Sequence, residues 1–173
     1  MYRIQKITLS FDRHQDRIRA STSTSDNRLL CLWLTQRLLN RLAIALTAWL
    51  DESLETELRQ QPHEPLAQKP VLQQWQQQAA QALHQPSQAV TLREAHEVVL
   101  PTVITVNRTG SSYELIFKWS SDGAALLQLN EVALRQCLGM LYGLYQQNNW
   151  STAAWPAWFA PEPALGKTSF EMI

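Results

Sequence analysis

The alternation of apolar and polar residues predicts β-strands at the start and in the middle of the chain. Ile7, Leu9 and Phe11 alternate with polar residues, and the segment DRHQD separates them from RIRASTSTS, which indicates an N-terminal β-hairpin. A period of two returns after Val90 in VTLREAHEVVLPTVITVNR, in SYELIFKW and in AALLQL, with Gly110 in a turn. These segments predict about three further strands.

Three other stretches are typical of helices. Residues 27–52 contain no Pro or Gly and are apolar over most of the helical circumference, which predicts a long, largely buried helix. A second helix is expected to begin at Pro70 and to pack inward through one apolar stripe, leaving its glutamines in solvent. That stripe consists of Leu72, Trp75, Ala79, Ala82 and Leu83. A third helix is predicted from Asn130, a favourable N-cap residue, to about residue 148.

The order of these elements predicts an α+β protein. We expect an antiparallel sheet, made of the N-terminal hairpin plus about three later strands, with the long buried helix, the second amphipathic helix and the C-terminal helix packed on it. The chain has 173 residues, of which 45% are hydrophobic, and this size fits one domain over residues 1–149. An aromatic and proline-rich tail follows at residues 150–173.

The tail carries four large aromatic residues within NNWSTAAWPAWFAPEP, namely Trp150, Trp155, Trp158 and Phe159. Together they present about 600–1,000 Å² of surface, whereas the largest apolar patch on a monomer is usually ~300–600 Å². We therefore expect the tail to be ordered, packed either on its own domain or on a partner subunit, and we take these four residues as candidate binding residues.

Two glycines in the last helix, Gly139 and Gly143, lie four residues apart on one helical face. Glycine destabilises a helix interior by roughly 1 kcal/mol relative to alanine, so the pair indicates a close approach by another group. One interpretation is packing against the first helix of the same chain, and the other is a helix–helix contact in a dimer.

Fifteen basic residues balance fifteen acidic ones, so no overall field attracts nucleic acid. The N-terminal hairpin is locally basic, because residues 1–28 hold six basic and three acidic side chains. A nucleic-acid accessory role for this hairpin is an alternative. A solvated hairpin is favoured, since no aromatic residues alternate with the charges to stack on bases.

Few residues of the chain are arranged in a way that suggests catalysis or ligand binding. Glu94 and His96 in REAHE share one side of an extended segment, so they either line a pocket of a ligand-binding domain or enzyme, or form a polar strand edge. No catalytic motif, no metal-ligand spacing and no cofactor-binding motif is recognisable. Cys31 and Cys137 lie in strongly apolar segments, which indicates buried, reduced thiols.

The N-terminus lacks the apolar region of a signal peptide, so we expect a cytoplasmic protein. Leu29 to Leu50 is long enough to span a membrane, but Arg37 and Arg41 near its centre disfavour that interpretation. Partners for these two arginines are expected among acidic side chains or exposed carbonyls. The leading functional hypothesis is a non-enzymatic protein that acts through protein–protein contacts, as a homo-oligomer such as a dimer or with an unknown protein partner.

Overall fold

The computed structural model describes residues 1–61, 66–93 and 96–160. In chain order the strands and helices are β1 (Tyr2–Asp12), β2 (Arg17–Thr24), β3 (Leu29–Leu34), α1 (Gln36–Gln60), α2 (Lys69–Ala82), β4 (Glu97–Val99), β5 (Val103–Thr109), β6 (Ser112–Lys118), β7 (Ala124–Asn130) and α3 (Glu131–Gln147). Short 3₁₀ turns occupy Leu66–Gln68 and Ala157–Phe159. The protein is therefore α+β.

The seven strands form one mixed sheet in the order β4-β3-β2-β1-β7-β6-β5. The pairs β1/β2, β2/β3, β5/β6 and β6/β7 are antiparallel, whereas β1/β7 and β3/β4 are parallel. The expectation of an antiparallel sheet made of the hairpin plus about three later strands is thus wrong. Parallel partners lie far apart in sequence, so local periodicity does not reveal which strands pair.

The first helix begins at Gln36 rather than at residue 27, because Leu29–Leu34 forms β3 between β2 and β4. A short apolar run such as LLCLWL fits a buried strand as well as a helix. Thr35 separates the two elements, since its hydroxyl accepts a hydrogen bond from the backbone N–H of Leu38 at 3.3 Å and caps α1.

Over residues 36–52, helix α1 exposes one narrow strip that includes Arg37 and Arg41, and the rest of its circumference is buried or half-buried, as predicted. Leu39, Leu46 and Leu50 are buried, while Arg37 and Arg41 are exposed and need no buried partner. No helix within the described ranges has the length and hydropathy that a membrane crossing requires.

The hydrophobic core lies between one face of the sheet and helices α1 and α3. The alternating residues Ile18 and Ala20 of β2, and Leu115 and Phe117 of β6, point into it. The second helix, α2, packs against α3 on the outside of this layer. The prediction that all three helices pack directly on the sheet therefore needs correction for α2.

Several local predictions are confirmed. β1 and β2 form the N-terminal hairpin. Gly110 occupies the β5/β6 turn with a φ of 59°, a conformation that glycine adopts without strain. Asn130 caps α3, because its side chain accepts a hydrogen bond from the N–H of Ala133 at 2.8 Å.

Both thiols are free and buried, as predicted, although Cys31 lies on β3 rather than on a helix. Burial raises the pKa of the Cys137 thiol to about 11. Burial also raises the pKa of Cys31, and the nearby Arg19 guanidinium opposes that rise. Neither thiol forms much thiolate near pH 8.

We therefore expect a water-soluble maleimide to leave both cysteines largely unmodified in the native protein and to modify both quickly in denaturant. Mass spectrometry of the intact chain over time measures the number of adducts. Rapid modification of both thiols without denaturant would contradict their burial.

Candidate functional site

The tail turns back onto the domain directly after α3. Asn149 adopts a left-handed conformation with a φ of 57°. The N–H of Trp150 donates to the carbonyl of Tyr145 at 3.0 Å, and the N–H of Asn149 donates to the carbonyl of Gln146 at 3.4 Å. This is the hydrogen-bond pattern of a Schellman motif, which ends the helix and reverses the chain.

The aromatic residues of the tail pack into the main hydrophobic core of their own chain. Trp150 meets Tyr145 edge-on at 5.0 Å, and its indole N–H donates to Asp16 at the tip of the β1/β2 hairpin at 2.9 Å. Trp155 also packs edge-on against Tyr145, and Trp158 stacks on Phe159 at 4.5 Å. Residues 150–160 thus close the domain, while residues 161–173 of the predicted tail lie outside the described residues. A role for these aromatics in binding another chain stays a prediction.

The two glycines of α3 have different surroundings. A Cβ atom on Gly139 would collide with the side-chain amide of Gln81 on α2, so this glycine permits a close helix–helix approach. The neighbour at Gly139 is therefore α2 and not the first helix, as one interpretation held. A Cβ atom on Gly143 would meet nothing within 4 Å.

The pairing of Glu94 with His96 for acid–base chemistry stays a prediction. Glu94 lies outside the described residues. His96 is half-buried, and its backbone N–H donates to the carbonyl of Arg93 at 3.2 Å. Among the described residues, no three His, Cys, Asp or Glu side chains cluster as a metal site would require.

Two acidic residues of the basic hairpin, Asp12 and Asp16, accept hydrogen bonds at its turn. One carboxylate oxygen of Asp12 accepts hydrogen bonds from the N–H groups of His14 and Gln15, at 2.9 and 3.0 Å. With Asp16 bonded to Trp150, both acidic residues at the tip stabilise local structure.

Helix α2 turns two of its glutamines inward and most of its predicted apolar stripe outward, opposite to the prediction. Gln73 is 0% exposed and Gln77 is 6% exposed, whereas Trp75 is 61% exposed and Leu83 is 67% exposed. The exposed apolar side chains share one sector of the helix, because successive residues are separated by about 100°. We call this sector the α2 stripe; it comprises the exposed residues Val71, Trp75, Ala79, Ala82 and Leu83 and the half-buried Leu72.

Arg135 of α3 explains why the glutamines face inward. Its side chain is only 3% exposed, and a buried guanidinium requires hydrogen-bond acceptors. Nη2 donates to the side-chain oxygens of Gln73 and Gln76 at 2.8 and 2.7 Å. Nε donates to Glu131 at 2.9 Å. Helix α2 therefore supplies most of the side-chain acceptors that Arg135 uses.

Further side-chain amides tie the two helices together through backbone carbonyls. Gln77 and Gln81 donate to the carbonyl of Arg135 at 2.7 and 3.0 Å, and Gln136 donates to the carbonyl of Ala80 at 2.9 Å. Gln73 also donates to Asp51 of α1 at 3.0 Å. We call these bonds, with those of Arg135, the glutamine network.

The glutamine network fixes the rotation of α2 about its axis. Turning the helix by half a turn would bury Trp75 but would leave Arg135 and several backbone carbonyls without partners, and each such buried group costs about 1–3 kcal/mol. The orientation seen here gives Nη2 and the backbone carbonyl of Arg135 their partners on α2 and leaves most of the α2 stripe in solvent. Most of the α2 stripe is therefore an exposed apolar surface of the described structure.

The chain matches no known family model, and comparisons with curated proteins and with solved structures found no significant similarity. The α2 stripe is the feature that sequence reasoning assigned to the wrong side of the helix. Arg135 is the residue in the sequence that could have corrected the predicted orientation of α2. It lies among Leu134, Cys137 and Leu138, which predicts a buried cation that needs hydrogen-bond acceptors.

Proposed function

We propose that this protein self-associates as a symmetric pair through the α2 stripe and works through protein–protein contact. The observation that carries the proposal is the outward position of Trp75, which is 61% exposed on a helix that buries two of its glutamines, Gln73 and Gln77. Tryptophan is enriched at the centres of protein interfaces, because it buries a large apolar area.

The pattern of large and small residues in the α2 stripe supports a second copy as the occupant. Consider an antiparallel helix pair whose two-fold axis lies at the level of Gln77 along the helix. In this pair, Trp75 of each copy faces Ala79 of the other. Val71 then faces Leu83, and Leu72 faces Ala82. A two-fold interface requires this reciprocity, since residue i contacts j while j contacts i. Each alanine leaves room for a bulky residue across the interface.

The charges of α2 also suit pairing with a copy of itself. Its one charged residue, Lys69, lies at the helix start and is bonded to Glu55 of α1 at 3.7 Å. Depletion of charged residues is typical of interface cores. Two copies of α2 can therefore meet without like-charge repulsion.

The predicted affinity is modest. A helix of 14 residues is about 21 Å long, and a pair of such helices falls at the low end of interface sizes, below ~1,200 Å². We expect a reversible dimer whose population depends on concentration.

Trp75→Glu is expected to keep the protein monomeric at concentrations where the wild type dimerises, because a charge would be buried at the centre of the interface. Sedimentation velocity from low micromolar to near-millimolar concentration measures the mass. Ile44→Glu is the matched control, since Ile44 is an equally accessible apolar residue on α1, and this variant should still dimerise. A wild type that stays monomeric throughout, or dissociation by Ile44→Glu alone, would overturn the proposal.

A further inference from the structure

Strand β5 forms one edge of the sheet, so one of its two sides has no neighbouring strand among the described residues. The strand at the other edge, β4, is only three residues long, whereas β5 has seven residues and pairs with β6 without a register shift. Proteins usually protect a long edge with proline, charged side chains or a bulge, because its unpaired backbone groups are a template for another strand. Residues 103–106 contain no proline and no charged residue. The first half of the β5 edge therefore lacks this protection.

The β5/β6 hairpin determines which backbone groups of β5 point away from β6. Its two-residue turn lies between Thr109 and Ser112, and the residues that flank such a turn form a hydrogen-bonded pair. Because hydrogen-bonded residues alternate along the strand, the N–H and C=O groups of Ile104, Val106 and Arg108 point outward. None of these backbone groups has a hydrogen-bond partner among the described residues. Buried backbone groups are nearly always paired, so these outward groups face solvent.

Helix α1 lies beside this edge and leaves a groove between the helix and the strand. The groove consists of two adjoining hollows, both of which are lined by Leu38, Arg41 and Thr102. The other residues that line the first hollow, of about 140 Å³, are Leu42, Ala45, Val103, Ile104 and Val106. Those that complete the second hollow, of about 260 Å³, are Thr35, Arg37, Leu100 and Pro101. We call the two hollows together the α1/β5 groove.

A strand added to β5 would place side chains in the α1/β5 groove. Successive side chains of a strand point to opposite faces of the sheet, so every second one would point to the face on which α1 lies. The first hollow, between Ala45 of α1 and Ile104 and Val106 of β5, is mainly apolar and has room for one branched aliphatic side chain. In this mode of recognition the backbone bonds supply affinity and such hollows supply specificity.

The second hollow carries two exposed arginines, Arg37 and Arg41, which form no ion pair among the described residues. Acidic side chains at one end of the added strand would supply the missing counter-charge. A second copy of β5 fits less well. In an antiparallel pair of β5 strands, Arg108 of one copy would lie near the Val103 end of the other, where Arg41 is, so like charges would meet.

From this geometry we infer that the α1/β5 groove binds an extended peptide that adds a strand to β5. The peptide has apolar residues at alternate positions, and one of these side chains enters the first hollow. Its acidic residues lie at the end next to Arg37 and Arg41. The inference uses no residue of the α2 stripe, so its test does not depend on dimer formation.

Titration of the ¹⁵N-labelled full chain with the synthetic peptide acetyl-EEVTVTV-amide tests the inference. We expect saturable shifts of the backbone N–H signals of Ile104 and Val106. The dissociation constant should be on the order of 0.1 mM, because a short extended peptide loses chain entropy when it binds. The same peptide with an N-methyl group on every residue of VTVTV keeps the side chains and the charge but has no backbone donor in that stretch. It should bind about tenfold more weakly or not at all.

Two double variants test the role of the arginines. Arg37→Glu with Arg41→Glu should weaken the binding of acetyl-EEVTVTV-amide by about tenfold or more, and acetyl-KKVTVTV-amide should bind to this variant instead. The matched control, Arg3→Glu with Arg13→Glu, makes the same change of charge at two exposed arginines of the N-terminal hairpin. This control should bind acetyl-EEVTVTV-amide as the wild type does.

Three results would overturn the inference: no shift at Ile104 and Val106, equal binding of the N-methylated peptide, or equal effects of the two double variants. A shift of the same two signals with protein concentration alone would show that a second copy occupies the groove. That result would overturn the inference as well.

Discussion

A chain that ends at Trp150 is expected to aggregate or to melt far below the full-length protein. The deletion removes Trp155, Trp158 and Phe159, all of which are buried in the main core. Loss of even about 400 Å² of apolar burial corresponds to roughly 10 kcal/mol at ~25 cal/mol per Å², as an upper bound. This is comparable with the whole free energy of unfolding of a small domain, about 5–15 kcal/mol.

A chain that ends at Ala160 is the matched control, since it keeps all the described aromatic residues of the tail. The difference in melting temperature between the two truncations measures the contribution of residues 151–160. The full-length double variant Trp155→Ala, Trp158→Ala should be strongly destabilised with an unchanged tendency to dimerise, because these side chains pack within their own chain. If the double variant keeps the wild-type melting temperature, the tail does not contribute to the core.

Replacing Arg135 by methionine is expected to lower the free energy of unfolding by about 2–5 kcal/mol. The change leaves the side-chain oxygens of Gln73 and Gln76 without their donor in a buried region. Chemical denaturation monitored by circular dichroism measures the loss.

Two further variants distinguish the stability lost with the glutamine network from the stability lost with the charge of Arg135 alone. Glu131→Gln should cost less than about 1 kcal/mol, because Glu131 is partly exposed. The double variant Arg135→Met, Gln73→Leu should recover part of the stability lost in Arg135→Met, since donor and acceptor are removed together. A fully wild-type stability of Arg135→Met would show that the network does not orient α2.

The sequence was sufficient to predict the elements that depend on a local pattern of residues. The β1/β2 hairpin, the turn at Gly110 and the Asn130 cap each depend on residues within a few positions of one another. The position of β3 and the parallel pairs β1/β7 and β3/β4 could not be predicted in the same way. They depend on contacts between distant segments, and LLCLWL is compatible with either a strand or a helix.

The orientation of α2 was wrong for a different physical reason. Periodicity identified the apolar stripe correctly but cannot tell which side of a helix faces the protein. The usual assumption that the apolar side is buried fails here, because the neighbouring face of α3 carries the buried Arg135, whose side chain and backbone carbonyl both bond to glutamines of α2. The candidate surface is therefore visible only once α2 and α3 are placed together.

The most direct test of association through the α2 stripe is site-specific photo-crosslinking from position 83. Leu83 is 67% exposed, so p-benzoyl-phenylalanine can replace it without disturbing the core. Mixing ¹⁴N- and ¹⁵N-labelled chains before irradiation identifies cross-links between copies by mass spectrometry. The antiparallel pair predicts a cross-link from position 83 of one copy to the peptide containing Val71 of the other. Absence of any cross-link between copies, or cross-links only to a surface other than α2, would contradict it.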